Sequence, residues 1–251
     1  PKRRRIEEKD MIDIKNSRHL LSDTQDHDII PLISEEDEKA IHKTDLPETI
    51  PLLALRNTVL FPGVVIPITV GRDRSIRLIK DANKKKLAIG VVSQKDVDVE
   101  IPLGDDLNKV GTVARIMKML RMPDGTNTVI LRGERRFTWD TIVEEDPYLK
   151  ASIKPFGGIE DVPNTKETQA LKESLKELAI EIITISPGIP SEAAGAIKNI
   201  KRLSFLVNFI GSNMNASVED KQILLQIESL EERANKVLEM LHKEKQMICL
   251  L

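Results

Sequence analysis

The feature that most limits what this chain can fold into is a change in the period of its apolar residues. Between Ile50 and Lys154 they come in short runs or alternate with polar ones. From Leu171 onward they recur at steps of four and three. The first period belongs to strands and the second to helices. Strands followed by helices predict an α+β protein. The change falls at Pro155-Phe156-Gly157-Gly158, with Pro163 beyond, and that punctuation places the boundary.

In the first half, Ile50–Leu55, Val64–Val70 and Leu87–Val92 are apolar runs of strand length. Val97-Asp98-Val99-Glu100-Ile101 alternates strictly and reads as a half-buried strand. Val110–Leu120 and Asn127–Arg132 flank Met122-Pro123-Asp124-Gly125-Thr126, whose Pro-Asp-Gly core predicts a hairpin. Arg136–Val143 and Tyr148–Lys154 supply further strands. One helix interrupts them, opening near Asp73, with Ile76, Ile79 and Ala82 on one face and an end at Asn83–Lys86. The result is a mixed sheet or barrel with one helix.

The second half predicts three helices. Leu171, Leu175, Leu178, Ile182 and Ile185 share a face until Ser186-Pro187-Gly188-Ile189-Pro190. A second helix is expected from Ser191 to Ile210, stopping at Gly211. Ser217 with Asp220 fits a capping box. From there Ile223, Ile227, Leu230, Ala234, Val237, Leu241 and Ile248 make one stripe. As a single rod it would span about 45 Å. Ala234, Val237, Leu241 and Ile248 are the candidate self-association face, because such a stripe wants a partner helix. Packing on the two preceding helices is the other reading, expected as far as Leu230.

Residues 1–46 are polar, with Lys2–Arg5 at one end and Glu35–Glu38 at the other, and predict a disordered leader. A basic run like Lys2–Arg5 fits a nuclear import patch or a solvated tail. Lys plus Arg is 38 against 40 for Asp plus Glu, a net charge of −2, which speaks against a nucleic-acid binder. Aromatic residues are only 3%, too few for a base-stacking platform. Cys249 is the single cysteine, which excludes an intrachain disulfide and a CxxC site and predicts a reducing, cytoplasmic setting. No apolar stretch reaches the length of a membrane span. The start at Pro1 and the helical pattern at the end predict a piece of a longer protein.

Catalytic signatures are missing. There is no GxxxxGK[ST], GxGxxG, GxSxG, SxxK or HExxH. His19, His27, His42 and His242 all lie outside the β half. Asp96, Asp98 and Glu100 mimic the start of a calcium loop but lack its glycine and distal glutamate. Arg132, Arg135 and Arg136 form a basic cluster, read as a solvated strand face or a nucleic-acid contact. Met117, Met119, Leu120 and Met122 crowd one hairpin arm. Methionine adapts to irregular partners. The four are therefore the candidate substrate-contact surface, with plain core filling as the alternative.

The β half resembles the N-terminal domain of the ATP-dependent Lon protease family. The matching stretch starts at Ile50-Pro51-Leu52-Leu53-Ala54-Leu55-Arg56-Asn57 and runs through Phe61-Pro62-Gly63, Ile66-Pro67 and Val70-Gly71-Arg72 with Ser75-Ile76. It continues with Gln94-Lys95-Asp96, Asp105-Asp106-Leu107, Val110–Ala114 and Pro123–Thr126, and closes with Gly133 and Arg136. Family members often carry Pro where Ala54 stands and Asp where Asn57 stands. The three helices resemble the segment that leads on to the ATPase module. The resemblance spans about 200 residues and leaves the leader uncovered.

What the resemblance implies is a PUA-like β domain at 47–157 and a helical segment at 164–251 ending in a long helix. It implies substrate recognition and ring assembly for an ATP-dependent serine protease, with unfolded or damaged proteins as partners and a homohexamer as the assembly. It implies no cofactor for this stretch, and ATP and magnesium for the parent. The phosphate loop and the Ser–Lys dyad of the family have no counterpart here, so no catalytic residue is carried over. The competing reading is a stand-alone PUA-like module or adaptor for RNA or peptide. No membrane partner is expected.

Overall fold

The computed structural model describes residues 46–123, 125–158, 165–186, 189 and 192–250. The leader up to Asp45 lies outside them, as do Asp124 of the hairpin turn and Pro187, Gly188, Pro190 and Ser191 of the helix break.

Six strands form one mixed sheet: β1 (Thr49–Leu55), β2 (Val65–Val70), β3 (Ile89–Ser93), β4 (Val110–Arg121), β5 (Asn127–Glu144) and β6 (Lys150–Pro155). Their order is β2-β5-β4-β3-β1-β6, and β5 also pairs with β6. That extra pairing closes β5, β4, β3, β1 and β6 into a barrel and leaves β2 appended to one end of β5. The β1–β3 pairing is parallel and every other pairing is antiparallel. Helix α1 (Asp73–Lys85) makes the crossover between β2 and β3, and Lys86 ends it in the left-handed region at φ 53°.

Two apolar sets explain the strand sequences. Ile50, Leu52, Val92, Val113, Phe137, Trp139, Ala151 and Ile153 form one core, inside the barrel. Leu53, Leu55, Ile89, Val91, Ala114, Val129 and Leu131 form the other, against Leu78, Ile79 and Ala82 of α1. β1 and β3 are covered on both faces, so they read as continuous apolar runs rather than alternating ones. The barrel is tight: a Cβ at Gly90 would come within 2.8 Å of Leu52 and Phe137.

Five helices follow: α2 (Lys166–Ile185), α3 (Glu192–Asn199), α4 (Leu203–Asn213), α5 (Val218–Gln226) and α6 (Leu230–Cys249). Their shared core runs from Leu175, Leu178 and Ile182 through Leu206, Val207 and Ile210 to Leu224, Ala234, Val237 and Leu241. It also takes in Val59, Phe61, Val64 and Val110 from the β half. The boundary near residue 157 therefore separates two chain segments but not two cores.

Three sequence expectations are corrected. Val97–Ile101 is not a strand; it belongs to a loop between β3 and β4 with Val97 and Ile101 exposed. The expected helix from Ser191 to Ile210, stopping at Gly211, is two helices, broken at Ile200–Arg202, and the second runs on to Asn213. Ile197, Ile200 and Leu203 are all buried, and the break lets each reach the core. The expected single rod is α5 and α6, broken at Ile227–Ser229. Ile223 consequently lies exposed on α5 instead of joining a continuous stripe. Ser229 caps α6 by accepting a hydrogen bond from the Glu232 amide at 3.3 Å, a second capping pattern in the sequence. At 20 residues α6 spans about 30 Å.

Gly133 shows how closely the segments approach. A Cβ there would run into the Phe61 carbonyl oxygen, and the Gly133 amide donates to the Val64 carbonyl at 2.9 Å. Gly133→Ala is expected to cost about 1–3 kcal/mol, because backbone rather than a flexible side chain must move. Gly71→Ala, with nothing within 4 Å of the new methyl, is the control and should stay within about 0.5 kcal/mol of the parent. Urea unfolding midpoints at constant slope check both.

Candidate functional site

Two places stand out: the distal ribbon that carries the methionines, and the seam where barrel and helices meet. In the ribbon, β5 pairs with β2 over Asn127–Arg132 while β4 runs along its other side. Between Ile116 and Lys118 the β4 register slips against consecutive partners Leu131 and Ile130, so Met117 is an extra, bulged residue. It is 54% exposed. Met119 pairs with buried Val129 and faces the core beside Ile66, Ile68, Ile76 and Ile116. Leu120 pairs with Thr128 and so points to the opposite face. Met122 closes the turn, its amide donating to the Thr126 carbonyl at 2.8 Å. The four predicted residues are thus divided between two faces and a turn. Only Met117 is largely exposed.

The self-association face fares differently from its expectation of exposure or pairing past Leu230. Ala234, Val237 and Leu241 are buried in the chain's own helical core, and Ile248 packs partly buried on it. The polar side of α6 is laced with Lys236–Glu239 and Lys243–Glu239 pairs, both at 2.8 Å. These two lysines hold the exposed Glu239 carboxyl down to about 2.

The seam was missed by sequence reasoning. Arg136 is buried, and its guanidinium caps the end of α5: Nη1 donates to the Leu225 carbonyl at 2.9 Å and the Ile227 carbonyl at 2.6 Å, and Nη2 to the Glu228 carbonyl at 3.1 Å. Leu225 and Ile227 carry carbonyls of the kind a helix end leaves without partners, at the negative pole of its dipole, and Glu228 lies in the break that follows. The Phe156 ring lies 5.2 Å away, and a Cβ at Gly157 would come within 2.7 Å of Nη2. Arg233, also buried, adds a second guanidinium to the Ile227 carbonyl at 3.0 Å.

Two more bridges cross the same seam. Gln222 on α5 accepts from the Ser93 hydroxyl at 2.7 Å and donates to the Val110 carbonyl at 3.0 Å. Asn208 on α4 donates to the Pro62 carbonyl at 3.2 Å. The basic cluster does not survive as a patch. Arg136 is spent inside, and Arg132 shares Glu134 with Arg115 at 3.6 and 2.6 Å. Among the described residues no three His, Cys, Asp or Glu side chains are placed to hold a metal ion. No described helix is long and apolar enough to cross a membrane.

The architecture is a mixed barrel fixed by buried hydrogen bonds to a helical extension. The substrate-binding domain family of the ATP-dependent protease La (Lon) matches residues 49–243, and the chain belongs to that family. It is 53% identical over 221 residues to a Lon protease of Flavobacterium johnsoniae, covering 88% of this chain and 27% of that protein. It is 44% identical over 226 residues to one of Cytophaga hutchinsonii, covering 90% and 28%. The chain thus spans about a quarter of the length of the curated relatives it matches. Among solved structures, the N-terminal domain of a Mycobacterium avium complex Lon protease aligns with TM-score 0.64 at 20% identity, over 77% of this chain and 98% of that one. A Lon N-terminal domain protein from Xanthomonas campestris aligns with TM-score 0.56 at 21% identity, over 76% and 96%. These two share the fold.

Arg136→Met should uncap α5 and cost about 1–3 kcal/mol through carbonyls left without donors. Amide exchange should quicken first at residues 225–233. Arg136→Lys should recover little, since a point ammonium cannot span three carbonyls. A uniform change in exchange across the barrel and helices would contradict this role.

Proposed function

We propose that the chain is the substrate-recognition and ring-assembly region of an ATP-dependent serine protease that degrades misfolded, damaged and regulatory proteins. The observation that carries the reading is the family match across 195 residues, from Thr49 to Lys243, which takes in barrel and helices together. A domain that recognises substrates for a machine has to present surfaces from a firm base. The Arg136 and Gln222 bridges supply that firmness, because buried polar groups with their partners in place resist rearrangement.

In this reading the chain performs no chemistry and holds no cofactor. ATP and magnesium belong to the ATPase module of the parent, and peptide hydrolysis to its Ser–Lys dyad. The setting is the cytoplasm and the assembly a homohexamer, to which this region contributes. The PUA-like barrel carries the substrate contacts, with Met117 at its bulge as the most accessible of the methionines. The adaptor reading is weaker, because relatives from Flavobacterium and Cytophaga are Lon proteases about four times the matched length. The RNA reading loses its motive once Arg136 is buried.

The test compares the full-length parent with a version lacking residues 1–251. Loss of misfolded-protein degradation, with weakened ring assembly by analytical ultracentrifugation and ATP hydrolysis at least partly retained, is the expected result. Unchanged substrate binding and assembly would overturn the proposal.

A further inference from the structure

The loop between β3 and β4 is built more firmly than a connection needs. Gln94 and Leu107 form an isolated bridge at its base, and the Lys95 amide donates to the Asp106 carbonyl at 2.8 Å. The Gln94 side chain, 2% exposed, donates to the carbonyls of Asp96 and Val99 at 3.1 and 2.9 Å. Arg72 donates to the Val99 carbonyl as well, at 3.2 Å. The Asp96 carboxylate accepts the Asp98 amide at 2.9 Å, and the Asp106 carboxylate accepts the Leu103 amide at 2.8 Å.

What this framework displays is specific. Val97, Ile101 and Leu103 are 46, 63 and 48% exposed. Between and beside them stand Asp96, Asp98, Glu100, Asp105 and Asp106. None of the five carboxylates forms a salt bridge with a described residue. Two nearby cations are engaged by the loop's own backbone. Lys95 donates to the Asp105 carbonyl at 2.9 Å, and Arg72, beside both Glu100 and Arg56, donates to the loop backbone. Beneath the loop the Gln94 Oε1 is buried without a hydrogen-bond partner among the described residues.

We infer that this loop is a contact surface for unfolded polypeptide segments in which lysine or arginine alternates with aliphatic residues. The inference rests on the substrate-recognition reading and names its substrate class. The loop offers acceptors and apolar area, so its complement is a chain offering donors and apolar area. A lysine or arginine lays its methylene stem on Val97, Ile101 or Leu103 while its head meets the carboxylates. The orphaned Gln94 oxygen calls for one more donor at the base of the loop. A metal ion is a poor occupant, since no three carboxylates are placed to hold one among the described residues. The hydrogen bonds from Gln94 and Arg72 order the loop in advance, which lowers the entropy lost on binding.

The test uses the whole chain and three short unstructured peptides of one aliphatic pattern, differing only in lysine, glutamine or glutamate at the alternate positions. Binding is read by fluorescence anisotropy at low and high salt. The lysine peptide should bind about tenfold more tightly than the glutamine peptide at low salt, with the glutamate peptide weakest and the gap closing at high salt. Asp98→Asn with Glu100→Gln should remove the gap. Ile101→Ser with Leu103→Ser should weaken both the lysine and the glutamine peptide. All four substitutions are at exposed positions and should leave the melting temperature in place. Equal binding of the lysine and glutamine peptides, or a gap that survives the Asp98/Glu100 change, overturns the inference. A reduced, carboxymethylated protein serves as a second ligand. If it binds while lysine confers no advantage, this inference alone fails. If neither it nor any peptide binds, the substrate-recognition reading fails too.

Discussion

A cationic side chain removed from water must find acceptors, and the fold is arranged around one that does. Arg136 leaves the barrel on β5 and ends among the carbonyls of Leu225, Ile227 and Glu228. Burying a guanidinium is costly unless its donors are used. Here the helix end supplies acceptors that would otherwise be unpaired, so two unfavourable situations offset each other. The break between α5 and α6 follows, because carbonyls turned toward Arg136 cannot also serve the next helical turn. The direction of α6 is set at that point.

The barrel contributes by leaving few surfaces free. Closure of β5 onto β6 removes one open edge. α1 covers the outer face of β1 and β3. What stays open is the outer edge of β2, where Pro67 removes a backbone donor, and the connections between strands. Recognition by such a body falls to loops and bulges on a rigid base. The slip that extrudes Met117 is one bulge. Another is Glu134, extra in β5 where Val113 and Ala114 face Arg135 and Gly133.

The strands, the α1 helix, the hairpin and the α2 stripe are legible in the sequence because local period and turn chemistry dominate there. Val97–Ile101 misled because alternation measures only which residues are apolar. Gln94 and Arg72 both take the Val99 carbonyl of that stretch, and Gln94 also takes the Asp96 carbonyl just before it. The 4–3 spacing through Ile227 misled for a related reason: spacing does not register that a buried arginine nearly a hundred residues upstream claims the backbone. The Ser229–Glu232 cap was a visible sign of that break. Gln222 and Arg233 were visible too, as polar residues within an apolar rhythm, yet only the folded partner shows what they bond. Ala234, Val237 and Leu241 were correctly apolar, but a stripe does not say whether its partner lies in the same chain or another.

The separation between Arg136 and its acceptors also sets an order of events during synthesis. β1 pairs with β6, so the barrel cannot close before residue 155 has emerged. The acceptors lie 89 to 92 positions beyond Arg136. Counted from residue 155, where the barrel can first close, the acceptors at 225–228 lie 70 to 73 positions further on, and at translation speeds of about 5–20 residues per second the interval before they emerge is roughly 4–15 s. During it the nascent barrel carries a hydrated guanidinium and, beside it, the apolar surface of Val59, Phe61, Val64 and Val110 uncovered by helices. The newborn barrel is therefore, for those seconds, an incompletely folded chain with an apolar face open to whatever it meets.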